Sequence, residues 1–327
     1  MPESVGANKV IYFLVDATWE SGLGHFMRSM SLARALADQG RGSHFIGSFL
    51  PTARQLANQI DICLTQFVGS LVQRARIPST GSQIIVDSYR CQPDELPPEQ
   101  QYLLTDDFCD FQSYPVTGVI NFTVDAHQYD YIARGAGAQA LGTGYFLPHP
   151  LISPPSKSSS TTPRKVLVMI GSGDRHGLVP RILKALSALS SLDIRVIGSY
   201  PNSERSTFPE VEFIAPTPDI GMHYEWADFC ITSGGLAKYE CAWLGKPAAV
   251  ISQTPGEQAE TLQFQRHGLC FNLGYCTEVT SAGLAEKLAN ILSDRHSRQQ
   301  AHESCRQHFS SDSPRAAAEF VLDCLAR

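Results

Sequence analysis

A histidine framed by glycines stands near the start of the chain, in Ser21-Gly22-Leu-Gly24-His25-Phe-Met-Arg28. It follows the apolar run Val10-Ile-Tyr-Phe-Leu-Val-Asp16 and precedes apolar positions at Phe26, Met30, Ala33 and Leu36 or Ala37. That is the pattern of a strand, a tight loop and a helix. A helix N-terminus offers free backbone N–H groups to an anion. It also disfavours a cation, and a neutral imidazole suits a general base. A second joint of this kind reads Ala227-Asp-Phe-Cys-Ile-Thr-Ser233, then Gly234-Gly235, then Leu236-Ala-Lys-Tyr-Glu240. Paired glycines let backbone approach a ligand closely, and the helix behind them can receive a phosphate. Glu240 lies about 7–8 Å further on, at ~1.5 Å per helical residue. That is the reach from a diphosphate to ribose hydroxyls, which suit a carboxylate acceptor. Two joints in separate halves suggest a base on one wall of a cleft and a phosphate cradle on the other. The plain alternatives are a histidine that caps or packs, and a helix cap with a solvent-facing glutamate.

Other strand ends add polar groups. Ser252-Gln-Thr-Pro-Gly-Glu257-Gln258 follows an apolar run and suits sugar hydroxyls, or is an ordinary turn into a helix. Ile170-Gly171-Ser-Gly-Asp174 opens the second half with a similar loop. Val86-Asp87-Ser-Tyr89-Arg90 and Thr105-Asp106-Asp107 end two first-half strands, and Asp87 and Tyr89 are candidates to line the cleft. Adjacent carboxylates can bind a metal, but no His or Asp partner stands at ligand spacing, so a non-metal role is expected. The dinucleotide fingerprint G-x-G-x-x-G fails here: Arg28 occupies the third glycine position. The second strand, His44-Phe-Ile-Gly-Ser48, also ends without an acidic residue to hold a ribose.

The elements that must position these groups alternate along the chain. First-half strands are expected at Val10–Val15, His44–Ser48, Gln83–Asp87, Tyr102–Thr105 and Gly118–Asn121. Second-half strands are expected at Lys165–Ile170, Asp193–Gly198, Val211–Ile214, Asp228–Thr232 and Ala248–Ser252. Helical patterns such as Leu178–Leu189 and Ala237–Leu244 lie between them. Alternation of this kind argues for an α/β chain with parallel sheets and helices on both faces. The polar, proline-flanked stretch from Ser153 to Pro163 reads as a linker. It divides an N-terminal domain, 8–152, from a C-terminal domain, 164–327. Two doubly wound, Rossmann-like domains facing each other across a cleft are expected, with ligands at the carboxyl ends of the strands. The last segment, Arg315–Ala326, is amphipathic and reads as a helix.

Composition narrows the function. The 327 residues are 43% hydrophobic and carry a formal net charge of −6 without a Lys/Arg run. A nucleic-acid partner therefore has little electrostatic support. A small anionic ligand is still compatible, because backbone amides bind one without a basic surface. None of the nine cysteines forms a C-x-x-C pair. Reduced, partly buried thiols in a cytoplasmic protein are expected. Met1 to Lys9 is polar and does not read as a signal peptide, and no stretch reaches the ~18 apolar residues of a membrane span.

Taken in order, these pieces resemble a known family. Asp16-Ala-Thr with Gly22-Leu-Gly-His-Phe-Met-Arg28, Val86-Asp-Ser-Tyr89, Thr105-Asp-Asp107 and Leu141-Gly-Thr-Gly-Tyr145-Phe-Leu-Pro carry the resemblance in the first half. Val166-Leu-Val-Met-Ile-Gly171, Thr232-Ser-Gly-Gly235, Tyr239-Glu240, Leu244-Gly-Lys-Pro247 and Gln258 carry it in the second. The chain resembles the bacterial nucleotide-sugar hydrolases of pseudaminic acid synthesis, which cleave UDP-2,4-diacetamido-2,4,6-trideoxy-β-L-altropyranose. It is equally similar to their broader relatives, the spore-coat polysaccharide biosynthesis proteins. The resemblance implies a GT-B fold shared with the MurG-type glycosyltransferases, no metal and no cofactor, and a UDP-sugar as the small-molecule partner. It implies His25 as the base activating water, with Asp16 and Tyr89 near the sugar. Gly234 and Gly235 would hold the diphosphate, Glu240 the ribose and Gln258 the donor sugar. Gly22, Gly24, Arg28, Gly171, Ser233 and Glu257 complete the expected binding set. The reaction implied is hydrolysis with inversion and release of UDP. An inverting glycosyltransferase is the alternative, and would leave peripheral membrane association open. The chain departs from the hydrolases at Gly234-Gly-Leu-Ala-Lys-Tyr-Glu240, where they carry Gly-Gly-Ser-Thr-x-Trp-Glu. It departs again at Gly256-Glu-Gln258 and Leu147-Pro-His-Pro150. The nucleotide cradle is kept and the sugar-contacting surface is changed.

Overall fold

The computed structural model describes residues 10–154, 163–171, 174–189 and 191–326. The expected linker therefore lies mostly outside the described residues, as do Met1 to Lys9 and Ser172-Gly173. The chain divides into two compact units, one of residues 1–150 with 312–327 and one of residues 151–311.

The first unit is built on β1 (Ile11–Val15), β2 (Ser43–Gly47), β3 (Cys63–Gln66), β4 (Gln83–Asp87), β5 (Gln101–Thr105), β6 (Gly118–Asn121) and β7 (Gln139–Leu141). Helices α1 (Gly24–Ala37), α2 (Pro51–Gln59) and α3 (Leu71–Ala75) connect the first four strands. The strands form one parallel sheet in the order β3-β2-β1-β4-β5-β6-β7. Reversal of strand order beside β1 opens a crevice at the carboxyl edge, between the loops after β1 and β4. Strands covered on both faces must be apolar throughout. Accordingly Ile11, Phe13, Leu14 and Val15 of β1 are all fully buried. Each side chain of that size contributes about 1.5–3 kcal/mol when buried. Phe13 stacks on Phe45 at 4.6 Å, and Phe26 of α1 meets Phe45 edge-on at 5.7 Å, which seats α1 on the sheet.

The second unit alternates β8 (Lys165–Met169), α4 (Leu178–Leu186), β9 (Asp193–Ile197), α5 (Asn202–Thr207), β10 (Glu212–Ile214) and α6 (Ile220–Trp226). It continues with β11 (Phe229–Ser233), α7 (Leu236–Trp243), β12 (Ala248–Ser252), α8 (Pro255–Arg266), β13 (Cys270–Tyr275), α9 (Ser281–Ser293) and α10 (Arg295–His308). Its sheet is parallel in the order β10-β9-β8-β11-β12-β13. Val166, Val168, Ile182, Leu186, Phe229, Ile231 and Ile251 form the centre of its core.

One boundary differs from the sequence-based expectation. Helix α11 (Ser313–Leu325) was expected to close the second domain, but it packs with the first unit. Its buried face comprises Ala317, Ala318, Val321, Cys324 and Leu325. The backbone carbonyl of Leu325 accepts a bond from Gln83 Nε2 at 3.3 Å, and Phe320 meets Tyr145 edge-on at 6.2 Å. The apolar stripe needed a partner, and small residues along it allow close approach to α1. Among the described residues no helix is long and apolar enough to cross a membrane.

Candidate functional site

The first group of side chains gathers where β1, β4 and β5 end. Register pairs Val15 with Asp87 and Val86 with Leu104, so Asp87 and Asp107 reach the same edge as the loop after β1. That loop is tied to itself. Gly22 N–H donates to the Thr18 carbonyl at 2.9 Å, and Gly22 turns at φ +69°, a conformation suited to glycine. Gly24 opens α1, whose first turn has no side-chain cap, so His25 sits at a helix end with free N–H groups.

His25 Nδ1 lies 2.6 Å from Asp87 Oδ1. An ionised carboxylate only accepts, so Nδ1 carries the proton and Nε2 presents its lone pair. Among the described residues Nε2 has no protein partner. Asp87 also accepts from Arg28 Nε at 2.7 Å, Arg28 Nη2 at 2.6 Å and Ser29 Oγ at 3.1 Å. Arg28 Nη1 donates to both oxygens of Asp107, at 2.9 and 2.8 Å. The Tyr89 hydroxyl donates to Asp107 Oδ2 at 2.6 Å, and its ring meets the His25 ring edge-on at 4.3 Å. The result is a continuous chain, His25–Asp87–Arg28–Asp107–Tyr89.

Burial works against the Asp87 charge, but Arg28 and His25 outweigh it and hold the carboxyl well below the usual carboxylate range. Burial likewise opposes the Arg28 charge, and the facing Asp107 and Asp87 more than compensate. Burial of the Tyr89 hydroxyl end, reinforced by Asp107, pushes that phenol far up, so it stays protonated and donates. One arginine between two carboxylates leaves the buried cluster one negative charge in excess, which an imidazolium would neutralise.

Several expected residues take other positions. Arg28 is only 3% exposed, and its guanidinium is held by Asp87 and Asp107. It does not offer its charge to a ligand, which corrects its expected place in the binding set. A glycine there would have removed the strap between the two aspartates. Asp16 Oδ1 accepts from the Ser48 N–H at 2.8 Å and Arg74 Nη1 at 2.7 Å, tying the ends of β1 and β2 to α3. Asp106, beside Asp107, faces inward and accepts from Tyr114, Tyr131 and the Cys109 N–H. Asp87 was expected only to line the cleft, and the structure makes it the partner of His25; Asp107 was given no site role from sequence. The signal available was their place at the ends of β4, which pairs with β1, and β5, which pairs with β4.

The second group lies in the other unit, at the ends of β8, β11 and β12. Gly171 follows β8, Ser233 ends β11, and Gly234-Gly235 lead into α7. A Cβ on Gly234 would come within 2.6 Å of the Glu257 Cβ, so only glycine fits against α8. Around Gly235 a Cβ would meet nothing within 4 Å, so its approach is open. Glu257 Oε2 accepts from the Gln253 N–H at 2.7 Å, and the Thr254 side chain caps α8 through the Glu257 N–H at 3.2 Å. Gln258 is half-buried in the first turn of that helix. Glu240 Oε2 accepts from the Tyr224 hydroxyl at 2.6 Å, which fixes the carboxylate on the side of α7 facing α6. Burial, with Glu240 beside it, raises that tyrosine well above its ordinary range.

No protein-family model matches the chain. The spore coat polysaccharide biosynthesis protein SpsG of Bacillus subtilis (strain 168) is 27% identical over 153 residues, 44% of this chain and 45% of that protein. The match thus spans a little under half the length of that relative. Spinosyn forosaminyltransferase SpnP superposes with a TM-score of 0.69 at 12% identity, over 98% of this chain and 100% of its own. MurG of Acinetobacter baumannii gives 0.65 at 13% identity, over 97% and 100%. The calicheamicin glycosyltransferase CalG4 gives 0.63 at 14% identity, over 98% and 99%. The chain has the GT-B fold. In this GT-B chain the imidazole lies in the N-terminal unit and the glycine loop in the C-terminal one.

Proposed function

We propose that this GT-B chain is an enzyme acting on a UDP-activated sugar, and that it cleaves the anomeric C–O bond by inversion. The observation that carries the proposal is the Asp87–His25 pair, which leaves Nε2 unprotonated at an uncapped helix end. On this reading His25 takes a proton from water as the water oxygen bonds to the anomeric carbon. The bond from that carbon to the diphosphate breaks, and its electron pair leaves with UDP. The imidazolium formed is stabilised by Asp87. The Gly234-Gly235 loop and the start of α7 receive the diphosphate charge, a preorganised electrostatic role. Glu240 takes the ribose hydroxyls and Gln258 the sugar. The partial likeness to a polysaccharide biosynthesis protein supports a sugar substrate.

A specific observation favours a second reading, transfer to an acceptor. Trp19 is 82% exposed and Val68 84%, and Tyr89 and Phe108 are also exposed. They stand on the loops after β1, β3, β4 and β5, along the edge that carries His25. An apolar row beside the base suits the body of an acceptor whose hydroxyl replaces water. Purified protein incubated with a panel of UDP-sugars decides between the two. Release of UDP and free sugar without acceptor, absent in His25→Ala, supports hydrolysis. Release only when an acceptor is added supports transfer. No release with either rejects the proposed chemistry.

A further inference from the structure

A fully buried cation lies under the glycine loop, and neither the resemblance nor the proposed chemistry uses it. Lys238, in the first turn of α7, is 1% exposed. Its ammonium donates to the Gly234 carbonyl and to Glu260 Oε2. It sits 4.9 Å from the Tyr239 ring centroid and 5.0 Å from that of Phe264, and the Tyr239 hydroxyl donates to the other Glu260 oxygen at 2.6 Å. A buried ammonium is costly unless it is paired and hydrogen-bonded, so this arrangement persists only as a complete set.

The geometry has a directional consequence. The Gly234–Gly235 peptide is trans, so its C=O and N–H point opposite ways. Drawing the Gly234 carbonyl inward to Lys238 turns the Gly235 N–H outward. Among the described residues that N–H has no protein partner, and space around Gly235 is open. Gly235 has no side chain to hold this peptide, and a glycine pair samples many conformations when free. We propose that Lys238 is a positioning residue: it locks the Gly234–Gly235 peptide with the Gly235 N–H facing out to receive a diphosphate oxygen. The inference rests on the reading of this loop as the diphosphate site. Lys238 touches no substrate; it acts through the peptide it holds.

The test compares UDP with uridine, which shares the base and ribose but lacks the diphosphate. Affinities are measured by titration for the wild type, Lys238→Met and Lys238→Met/Glu260→Gln. The double variant removes both charges of the pair and guards against misfolding of the single one. Each is checked by its thermal midpoint. The lock predicts that UDP affinity falls about 10- to 100-fold, the worth of one charge-assisted hydrogen bond, while uridine affinity stays within about twofold. Equal losses for UDP and uridine in the folded variants overturn the proposal, because the lysine would then be merely structural. Unchanged UDP binding in both variants also overturns it, while leaving the loop's reading intact. A wild type that binds uridine but gains nothing from the diphosphate overturns the loop's reading, and the lock with it.

Discussion

Replacing Asp87 with asparagine tests the coupling between the buried acid chain and the base. The carboxylate accepts four bonds, from His25, two Arg28 nitrogens and Ser29, all between 2.6 and 3.1 Å. Asparagine keeps the shape but has one acceptor oxygen, which Arg28 would claim. Its amide would then face His25 Nδ1 as a donor. Nδ1 must lose its proton to accept, which moves the proton to Nε2 and disables the base. The charge balance also fails, because the cluster no longer carries the excess negative charge that an imidazolium needs. Loss of one charge-assisted hydrogen bond is about 1.5–3 kcal/mol, or about 10- to 100-fold in rate. A wrong tautomer in an acid–imidazole pair reaches roughly 10⁴-fold. Asp87→Asn should therefore lower the rate of UDP release about 10²- to 10⁴-fold with KM little changed. Steady-state kinetics on protein of verified thermal midpoint measure it. A folded variant within about threefold of wild type would refute the coupling. Asp107→Asn acts one step further away and should cost less.

Other expectations follow from the same contacts. The Asp87 carboxyl is depressed in the folded protein, so its stabilisation is present above its unfolded value of about 3.9 and is lost as pH falls through the folded value. Thermal midpoints recorded against pH should fall more steeply below about pH 4 in wild type than in Asp87→Asn. Gly234→Ala puts a methyl 2.6 Å from the Glu257 Cβ and should destabilise by about 1–3 kcal/mol while weakening UDP binding; calorimetry reads both. Removal of 312–327 uncovers the face of α1 beneath α11, so hydrogen exchange should accelerate in Gly24–Ala37 and leave β8 to β13 unchanged. Under the transferase reading, Trp19→Ala should raise the KM for the acceptor and not for the donor, which initial-rate kinetics separate.

Much of the fold was legible because parallel strands announce themselves as continuous apolar runs. Gln83–Asp87, Gly118–Asn121 and Ala248–Ser252 were read with the bounds the structure shows. Three strands were missed, and each lacks that signal. β3 lies at a sheet edge with no fully buried residue, β7 has only three residues, and β13 alternates with polar Asn272 and a bulge near Gly274. The helix α11 showed its amphipathic face in sequence, but nothing local says which distant surface will cover it. The base and the glycine loop were visible as local motifs. The partnership of His25 with Asp87, 62 positions apart, was not, because it depends on β4 pairing with β1. Arg28 illustrates the reverse case: the family resemblance placed it in the binding set, and only packing shows two carboxylates enclosing it.

The central claim is that His25 activates a nucleophile against the anomeric carbon of a nucleotide sugar. Turnover in ¹⁸O-labelled water, followed by mass spectrometry of both products, tests it most directly. Label is expected in the released sugar and not in the UDP, with loss of both products in His25→Ala. Label in the UDP would place the attack on phosphorus, and undiminished turnover by His25→Ala would remove the base; either result would contradict the account.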